Sequence, residues 1–130
     1  MNKYIGHYSQ LYGVQDMKMC GGKADGMRVL HVYNGKGLDV LLNLDKCCDI
    51  LRVTVDGKNI GYIAPCGYVS SQHFSSRGSE FLKSFTAGFL TTCGLDNAGA
   101  PCIDINEELS LHGTIGNTPC EHYYWDINEN

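Results

Sequence analysis

The sequence predicts an all-β protein, an antiparallel sandwich or barrel of short strands. Three observations support this fold class. Glycine is abundant, with 16 glycines among 130 residues, and so many glycines favour frequent turns. β-branched and aromatic residues occur in short runs bounded by turn residues. No segment keeps a helical periodicity beyond about two turns. The length suits one small domain covering residues 1–130.

The first predicted hairpin joins two apolar runs. Arg28–Tyr33 reads RVLHVY, and residues 38–44 read LDVLLNL. Asn34 and Gly35 lie between them, and this pair supplies the positive φ angles of a tight hairpin turn. We therefore expect the two runs to pair antiparallel.

A second hairpin follows with the clearest pattern in the chain. Val53 and Val55 alternate with polar neighbours, as in a half-buried strand. Asp56 and Gly57 form a typical two-residue turn, and residues 59–63 are predicted to return as the partner strand.

The remaining chain predicts further loops and strands. Residues 66–80 are rich in glycine, serine and aromatics and predict a loop, whereas the apolar residues 81–95 favour strand. Residues 96–102 predict another loop, and residues 103–113 a short turn and a strand. Residues 121–127, EHYYWDI, predict a last strand. A strand edge left unpaired there would favour association with another copy of the chain.

Charge and hydropathy exclude several classes of partner. The net charge is −4, and lysine and arginine form no concentrated basic face, so nucleic-acid binding is not expected. No apolar stretch has the length of a membrane span. The first residues lack the apolar core of a signal peptide, which predicts a cytoplasmic protein.

Seven cysteines are an odd and high number. Without a signal peptide, reduced thiols acting as small buried hydrophobes are the favoured interpretation. A zinc site is the alternative, but no CxxC pair exists and the cysteines and histidines near the C-terminus do not fall at the usual ligand spacings. We therefore expect no metal.

Three quoted segments together resemble a known family. They are FLKSFTAGFLTTCGLDNAGAP (81–101), LHGTIGNTPCEHYYWDI (111–127) and DKCCDILRVTVDGKNIGYIAPCG (45–67). Their order is similar to that in the aldose 1-epimerase (galactose mutarotase-like) superfamily, closest to its deoxyribose mutarotase-like, DUF4432-type branch. The resemblance covers about residues 38–127 and suggests the N-terminal portion of such a domain.

The resemblance implies a fold and a reaction. The fold is a large antiparallel supersandwich, here in part. The reaction interconverts the α and β anomers of a free aldose, by proton transfers that open and reclose the sugar ring. It needs no cofactor and no metal. Positioned acid and base groups typically contribute about 10²–10⁴-fold each to such a reaction.

His112 in LHG matches the first family histidine and is the catalytic candidate. The resemblance implies that it contacts the sugar near the ring oxygen, while a second histidine and a glutamate, both farther along in the family, serve as acid and base. This chain ends before either, so we expect it to be inert or nearly so. Thr92, Cys93 and Asn97 complete the expected substrate-binding set.

Each candidate has a simpler structural interpretation. His112 would then be a loop histidine bonded to backbone, Asn97 a turn residue, and Thr92 and Cys93 strand core. Two other functions also stay open: a sugar-binding module without chemistry, and a truncated product that assembles with itself. The Asn-Arg pair that grips sugar hydroxyls in other mutarotases has no counterpart here, so the sugar is not specified.

Overall fold

A computed structural model describes residues 3–128 and confirms the all-β, antiparallel prediction. The described chain contains nine strands and short 3-10 turns but no α-helix. The strands are β1 Gly13–Lys18, β2 Arg28–Tyr33, β3 Leu38–Asn43, β4 Asp49–Val55, β5 Lys58–Asn59, β6 Tyr62–Ile63, β7 Ala87–Gly88, β8 Cys102–Asp104 and β9 Glu107–Leu109. The 3-10 turns are Tyr8–Gln10, Gly22–Ala24, Ser71–His73, Glu80–Lys83 and Ile115–Asn117.

One sheet of five strands forms the centre of the protein. Its strands follow chain order, β1-β2-β3-β4-β5, and all neighbours are antiparallel. The core lies on one face, where Met27, Val29, Leu41 and Leu51 are buried together. The ladders β6-β7 and β8-β9 form two smaller sheets. No helix of residues 3–128 is long and apolar enough to cross a membrane.

The antiparallel pairing within both predicted hairpins is confirmed, but the turn of the first and the return strand of the second differ from the prediction. Asp56 and Gly57 both have positive φ, 49° and 78°, as a two-residue turn requires. The loop after β2 is longer than a two-residue turn. Asn34 Oδ1 accepts bonds from the backbone N–H of Lys36 and Leu38, which closes a four-residue loop. Gly35 is needed there because a side chain would collide with the Leu11 carbonyl.

The predicted return strand over residues 59–63 is divided between two sheets. Asn59 exchanges hydrogen bonds with Gly61, through Nδ2 to the carbonyl and Oδ1 from the N–H. This Asx turn ends β5 and directs the next residues to pair with β7 as β6. The Asn59 side chain bonds the Gly61 backbone, and this turn interrupts the strand that the run predicted.

Residues 81–95 are mostly not the strand that their apolar character predicted. Only Ala87–Gly88 joins a ladder, and Phe81 lies in the 3-10 turn Glu80–Lys83. Phe81 is buried, whereas Leu82, Phe89, Leu90 and Leu95 are exposed, so an apolar run here does not mark a strand that is paired and buried. A turn followed by a strand is confirmed within residues 103–113, but a strand also precedes the turn, so that β8 and β9 form a hairpin, and β9 ends at Leu109.

Residues 121–127 form no ladder, so the strand predicted there is wrong. They belong to an extended segment, residues 119–128, called the C-terminal strap below. Cys120 N–H donates to the Leu44 carbonyl at 2.7 Å, and the Tyr123 hydroxyl donates to Asp16 at 2.6 Å. The Cys120 carbonyl also accepts from Arg28 Nη2 at 3.1 Å. The strap is thus held by separate hydrogen bonds, and its three aromatic side chains, Tyr123, Tyr124 and Trp125, are exposed.

Strand β1 has no counterpart in the sequence predictions. It pairs with β2 over six residues, from Gly13 opposite Tyr33 to Lys18 opposite Arg28. Its last four residues are exposed, so it lacks the alternation of apolar and polar positions that marks a half-buried strand.

Candidate functional site

The turn between β3 and β4 has unusual backbone geometry. Cys47 and Cys48 both have left-handed φ values, 51° and 56°. Such values are costly for residues other than glycine and persist only where surrounding contacts hold them. Cys47 supplies two such contacts, its N–H to the Thr118 carbonyl and its thiol to the Ile115 carbonyl, each at 2.8 Å. The chain therefore reverses within two residues.

This reversal buries both charged neighbours of the cysteine pair. Lys46 is 8% exposed and donates from Nζ to the Ser84 carbonyl at 2.7 Å. Burial lowers the pKa of Lys46, and the charges of Cys66 and Asp49 offset only part of that effect. Asp49 is 7% exposed. A buried ammonium and a buried carboxylate thus lie on one small turn.

Asp49 is held by Thr92, a residue from the predicted site. The Thr92 hydroxyl donates to Asp49 Oδ1 at 2.6 Å, and its backbone N–H lies 3.0 and 2.9 Å from the two carboxylate oxygens. Hydrogen bonds to a charged acceptor are stronger than neutral ones, and these replace the water that Asp49 loses on burial.

These groups line a narrow cavity of about 20 Å³, room for roughly one water molecule. Its polar lining includes Asn43, Lys46, Asp49, Thr92 and Asn117. Two stacked aromatic rings, Phe81 and Phe85, with centroids 5.1 Å apart, form an apolar wall. The arrangement offers an ammonium, a carboxylate and amide groups beside an aromatic surface. These are the donors and acceptors that a polyhydroxylated ligand uses.

The GLDN and LHG motifs pack directly against each other beside this cavity. Asp96 accepts bonds from the Thr114 N–H and hydroxyl, both at 3.2 Å. Burial acts to raise the pKa of Asp96, but the hydrogen bonds from Thr114 outweigh it and the pKa is lowered. A Cβ added to Gly113 would lie 2.6 Å from the Gly94 carbonyl oxygen, so only glycine fits there. Much of this motif therefore serves to join two loops.

His112 lies at this junction with a left-handed backbone, φ 59°. Its N–H donates to the Gly99 carbonyl and its own carbonyl accepts from the Gly94 N–H. The side chain is exposed, and the ring packs edge-on against Phe81 with centroids 5.7 Å apart. Since Phe81 also lines the cavity, His112 stands next to the cavity wall but outside its lining.

The structure brings part of the predicted site together. Thr92 lines the cavity and His112 shares the Phe81 ring with it. Cys93 is exposed and does not line the cavity. Asn97 donates from Nδ2 to the carbonyls of Ala100 and Ser110, so its amide nitrogen is used within the loop.

Sequence reasoning missed Lys46 and Asp49. The available signal was the segment DKCCDI, in which charged residues interrupt an apolar strand pair. Within residues 3–128, no group of three or more histidine, cysteine, aspartate or glutamate side chains is placed to hold a metal ion.

A family model described as a domain of unknown function, DUF4432, matches residues 24–130. No curated protein and no solved structure matches the chain. The matched region includes the β3–β4 turn, the cavity and both motifs around His112. Membership of the aldose 1-epimerase superfamily stays a prediction. Because the match covers well over half of the sequence, the chain belongs to the DUF4432 family.

Proposed function

We propose that this chain binds a monosaccharide of the aldose class at the mouth of the cavity lined by Lys46, Asp49 and Thr92. The observation that carries the proposal is the pairing of buried polar groups with the Phe81 and Phe85 wall. A sugar presents hydroxyl groups around its ring and apolar C–H groups on its faces, so it needs both kinds of surface.

The size of the cavity supports a position for the sugar outside it. An interior of about 20 Å³ holds a water molecule and not a sugar ring. The ring therefore lies outside, where His112 is exposed beside Phe81 and Thr91 is exposed beside Thr92. In this position His112 contacts the ring oxygen or the anomeric hydroxyl, the role that the family resemblance suggests.

The reaction class attached to this proposal is mutarotation, which needs only proton transfers. In this chain the carboxylate of Asp49 is already occupied by Thr92, and Lys46 is bonded to the Ser84 carbonyl. We therefore propose binding with little acceleration of anomer exchange. Polarimetry on α-galactose and on 2-deoxyribose tests this. Acceleration by the purified chain that His112→Ala abolishes would contradict the binding-only proposal.

Sugar binding itself is tested by titrating 2-deoxyribose, galactose and glucose into the isotope-labelled chain and following amide resonances by NMR. We expect saturable binding of at least one sugar, weakened at least about tenfold by His112→Ala, which corresponds to about 1.4 kcal/mol. His122→Ala is the matched control, because His122 is exposed in the C-terminal strap and does not line the cavity. No saturation up to about 100 mM, or equal losses in both variants, would refute the proposal.

A second candidate function, self-association, is favoured by the β8–β9 hairpin. Ile103 and Ile105 are 78% and 92% exposed there, and the hairpin pairs with no other strand of the described chain. Exposed apolar strands of this kind tend to pair with another copy. Sedimentation analysis should show a dimer that Ile103→Lys converts to monomer, while Leu82→Lys, at another exposed apolar position, has no effect.

The proposed location is the cytoplasm. All seven cysteines are free thiols, and thiols persist in the reduced state in that compartment.

A further inference from the structure

The loop between β2 and β3 contains the one asparagine of the sequence that is followed by glycine, Asn34 before Gly35. Such an asparagine can react with its own backbone, because glycine has no side chain to shield the peptide nitrogen that must attack. Asn34, Gly35 and Lys36 are all exposed, so water reaches the pair. The loop thus presents a side chain that can rearrange without an enzyme.

Two backbone donors polarise the Asn34 side-chain carbonyl. Asn34 Oδ1 accepts from the N–H of Lys36 at 2.8 Å and from the N–H of Leu38 at 3.0 Å. The Asn34 N–H also donates to the Leu38 carbonyl at 3.1 Å, which holds the loop closed around these donors. Two N–H groups directed at one oxygen stabilise the negative charge that forms on it when a nucleophile attacks the carbonyl carbon. The loop therefore resembles an oxyanion hole built around its own asparagine.

The attacking and the leaving nitrogen are both free of competing bonds. In the described part of the chain, residues 3–128, neither the Gly35 N–H nor Asn34 Nδ2 donates a hydrogen bond. Gly35 has φ 63°, and a Cβ there would collide with the Leu11 carbonyl, so the position admits only glycine. The nucleophile therefore stays unshielded for a reason of packing.

Asn59 and Asn97 differ from Asn34 in the group that would have to leave. Asn59 Nδ2 donates to the Gly61 carbonyl at 2.8 Å, and the next residue is the branched Ile60. Asn97 Nδ2 donates to two backbone carbonyls, at 2.9 and 2.7 Å. Their amide nitrogens are held in place, whereas that of Asn34 is not.

We propose that Asn34 is a self-modification site, at which the β2–β3 loop promotes deamidation of its own asparagine with water as the only co-reactant. The Gly35 nitrogen attacks Asn34 Cγ, so that an N–C bond forms, the Cγ–Nδ2 bond breaks and ammonia leaves with the proton of the Gly35 N–H. A five-membered succinimide ring results. Water then adds to one of the two ring carbonyl carbons and breaks its bond to nitrogen, which leaves an aspartate or an isoaspartate at position 34.

The two products affect the hairpin in opposite ways. An aspartate keeps the backbone and accepts the same two N–H bonds with a full charge, which strengthens them. An isoaspartate inserts one more carbon into the backbone between β2 and β3, so the bonds from Lys36 and Leu38 can no longer close the four-residue loop. The loop residues do not line the cavity with Lys46 and Asp49, and this inference does not depend on sugar binding.

The test incubates the folded full chain at mildly alkaline pH beside a synthetic peptide of residues 31–38, which lacks the folded loop. Samples are digested at acid pH, and mass spectrometry follows the replacement of an amide by a carboxyl group at each asparagine. We expect Asn34 to react before Asn59 and Asn97, at least about threefold faster in the folded chain than in the peptide. A rate in the folded chain equal to or below that of the peptide would overturn the proposal.

Lys36→Pro removes one of the two donors to Asn34 Oδ1, and Lys36→Ala is the matched control because it keeps the backbone N–H. We expect Lys36→Pro to slow deamidation toward the peptide rate and Lys36→Ala to leave it unchanged; equal rates in two folded variants would count against the role of the donors. Should Lys36→Pro not fold, the comparison of chain and peptide decides. Asn34→Asp should match or exceed the wild-type Tm, whereas chain purified with isoaspartate should melt about 4 °C lower or more.

Discussion

The bond between Thr92 and Asp49 is the contact most open to a quantitative test. Replacing Thr92 with valine keeps the side-chain shape and removes the hydroxyl that lies 2.6 Å from Asp49 Oδ1. A hydrogen bond to a charged group contributes about 1.5–3 kcal/mol. The added methyl group returns up to about 0.8 kcal/mol by burial, and the Thr92 N–H still bonds the carboxylate at 2.9 Å. We therefore expect Thr92→Val to lower the free energy of unfolding by about 1–2 kcal/mol.

Urea unfolding followed by far-UV circular dichroism measures this change, and Tm should fall by about 4–10 °C. Thr91→Val is the matched control. Thr91 also lines the cavity but is exposed and makes no hydrogen bond within residues 3–128, so loss of its hydroxyl should lower the free energy of unfolding by less than about 0.5 kcal/mol. Thr92→Ser should retain most of the stability. Equal unfolding free energies for Thr92→Val and Thr91→Val would refute the view that Asp49 depends on Thr92.

Three further predictions concern backbone strain and charge. Because His112 has φ 59°, His112→Gly should be about 1 kcal/mol more stable than His112→Ala in urea unfolding, and equal values would argue against a left-handed backbone. Gly113→Ala should cost more than about 2 kcal/mol, since its Cβ would approach the Gly94 carbonyl to 2.6 Å at φ 73°; a near-neutral effect would contradict this packing. The lowered pKa of Lys46 means that burying its charged form costs free energy below the folded pKa, a cost that disappears as pH rises toward the unfolded value of 10.5. Wild type should therefore gain stability over Lys46→Met between pH 7 and 10, whereas the exposed Lys36→Met should show no such trend.

Local sequence signals were sufficient to predict a hairpin, in which a strand pairs with the next strand along the chain. The alternation in β4 and the Asp56-Gly57 turn specify a hairpin whatever surrounds them, because turn geometry depends on those two residues. The same reasoning failed for residues 121–127. Their strand preference is a preference for a half-buried surface, and the strap provides neither that surface nor a ladder within residues 3–128, since its aromatic side chains are exposed. Strand β1 went unrecognised because an edge strand with exposed residues lacks the usual pattern.

In the candidate site too, some residues were predicted from local motifs and others were not. Thr92 and His112 stood out because they lie in motifs, yet much of the GLDN and LHG pattern serves to join two loops through Asp96 and Gly113. No motif in the sequence marked Asp49 as a site residue. Asp49 was recognised only from its hydrogen bond to Thr92, which is 43 positions away in the chain.

The sequence alone thus predicted the all-β class, the antiparallel pairing within the β2–β3 and β4–β5 hairpins and the Asp56-Gly57 turn, because hydrophobic period and turn chemistry act over a few residues. It also specified the motifs that define the family match. Only the tertiary structure decided that Lys46 and Asp49 share a cavity with Thr92. The bond between Thr92 and Asp49 joins residues 43 positions apart in the chain. Local propensity carries no information about which distant segment will supply the partner.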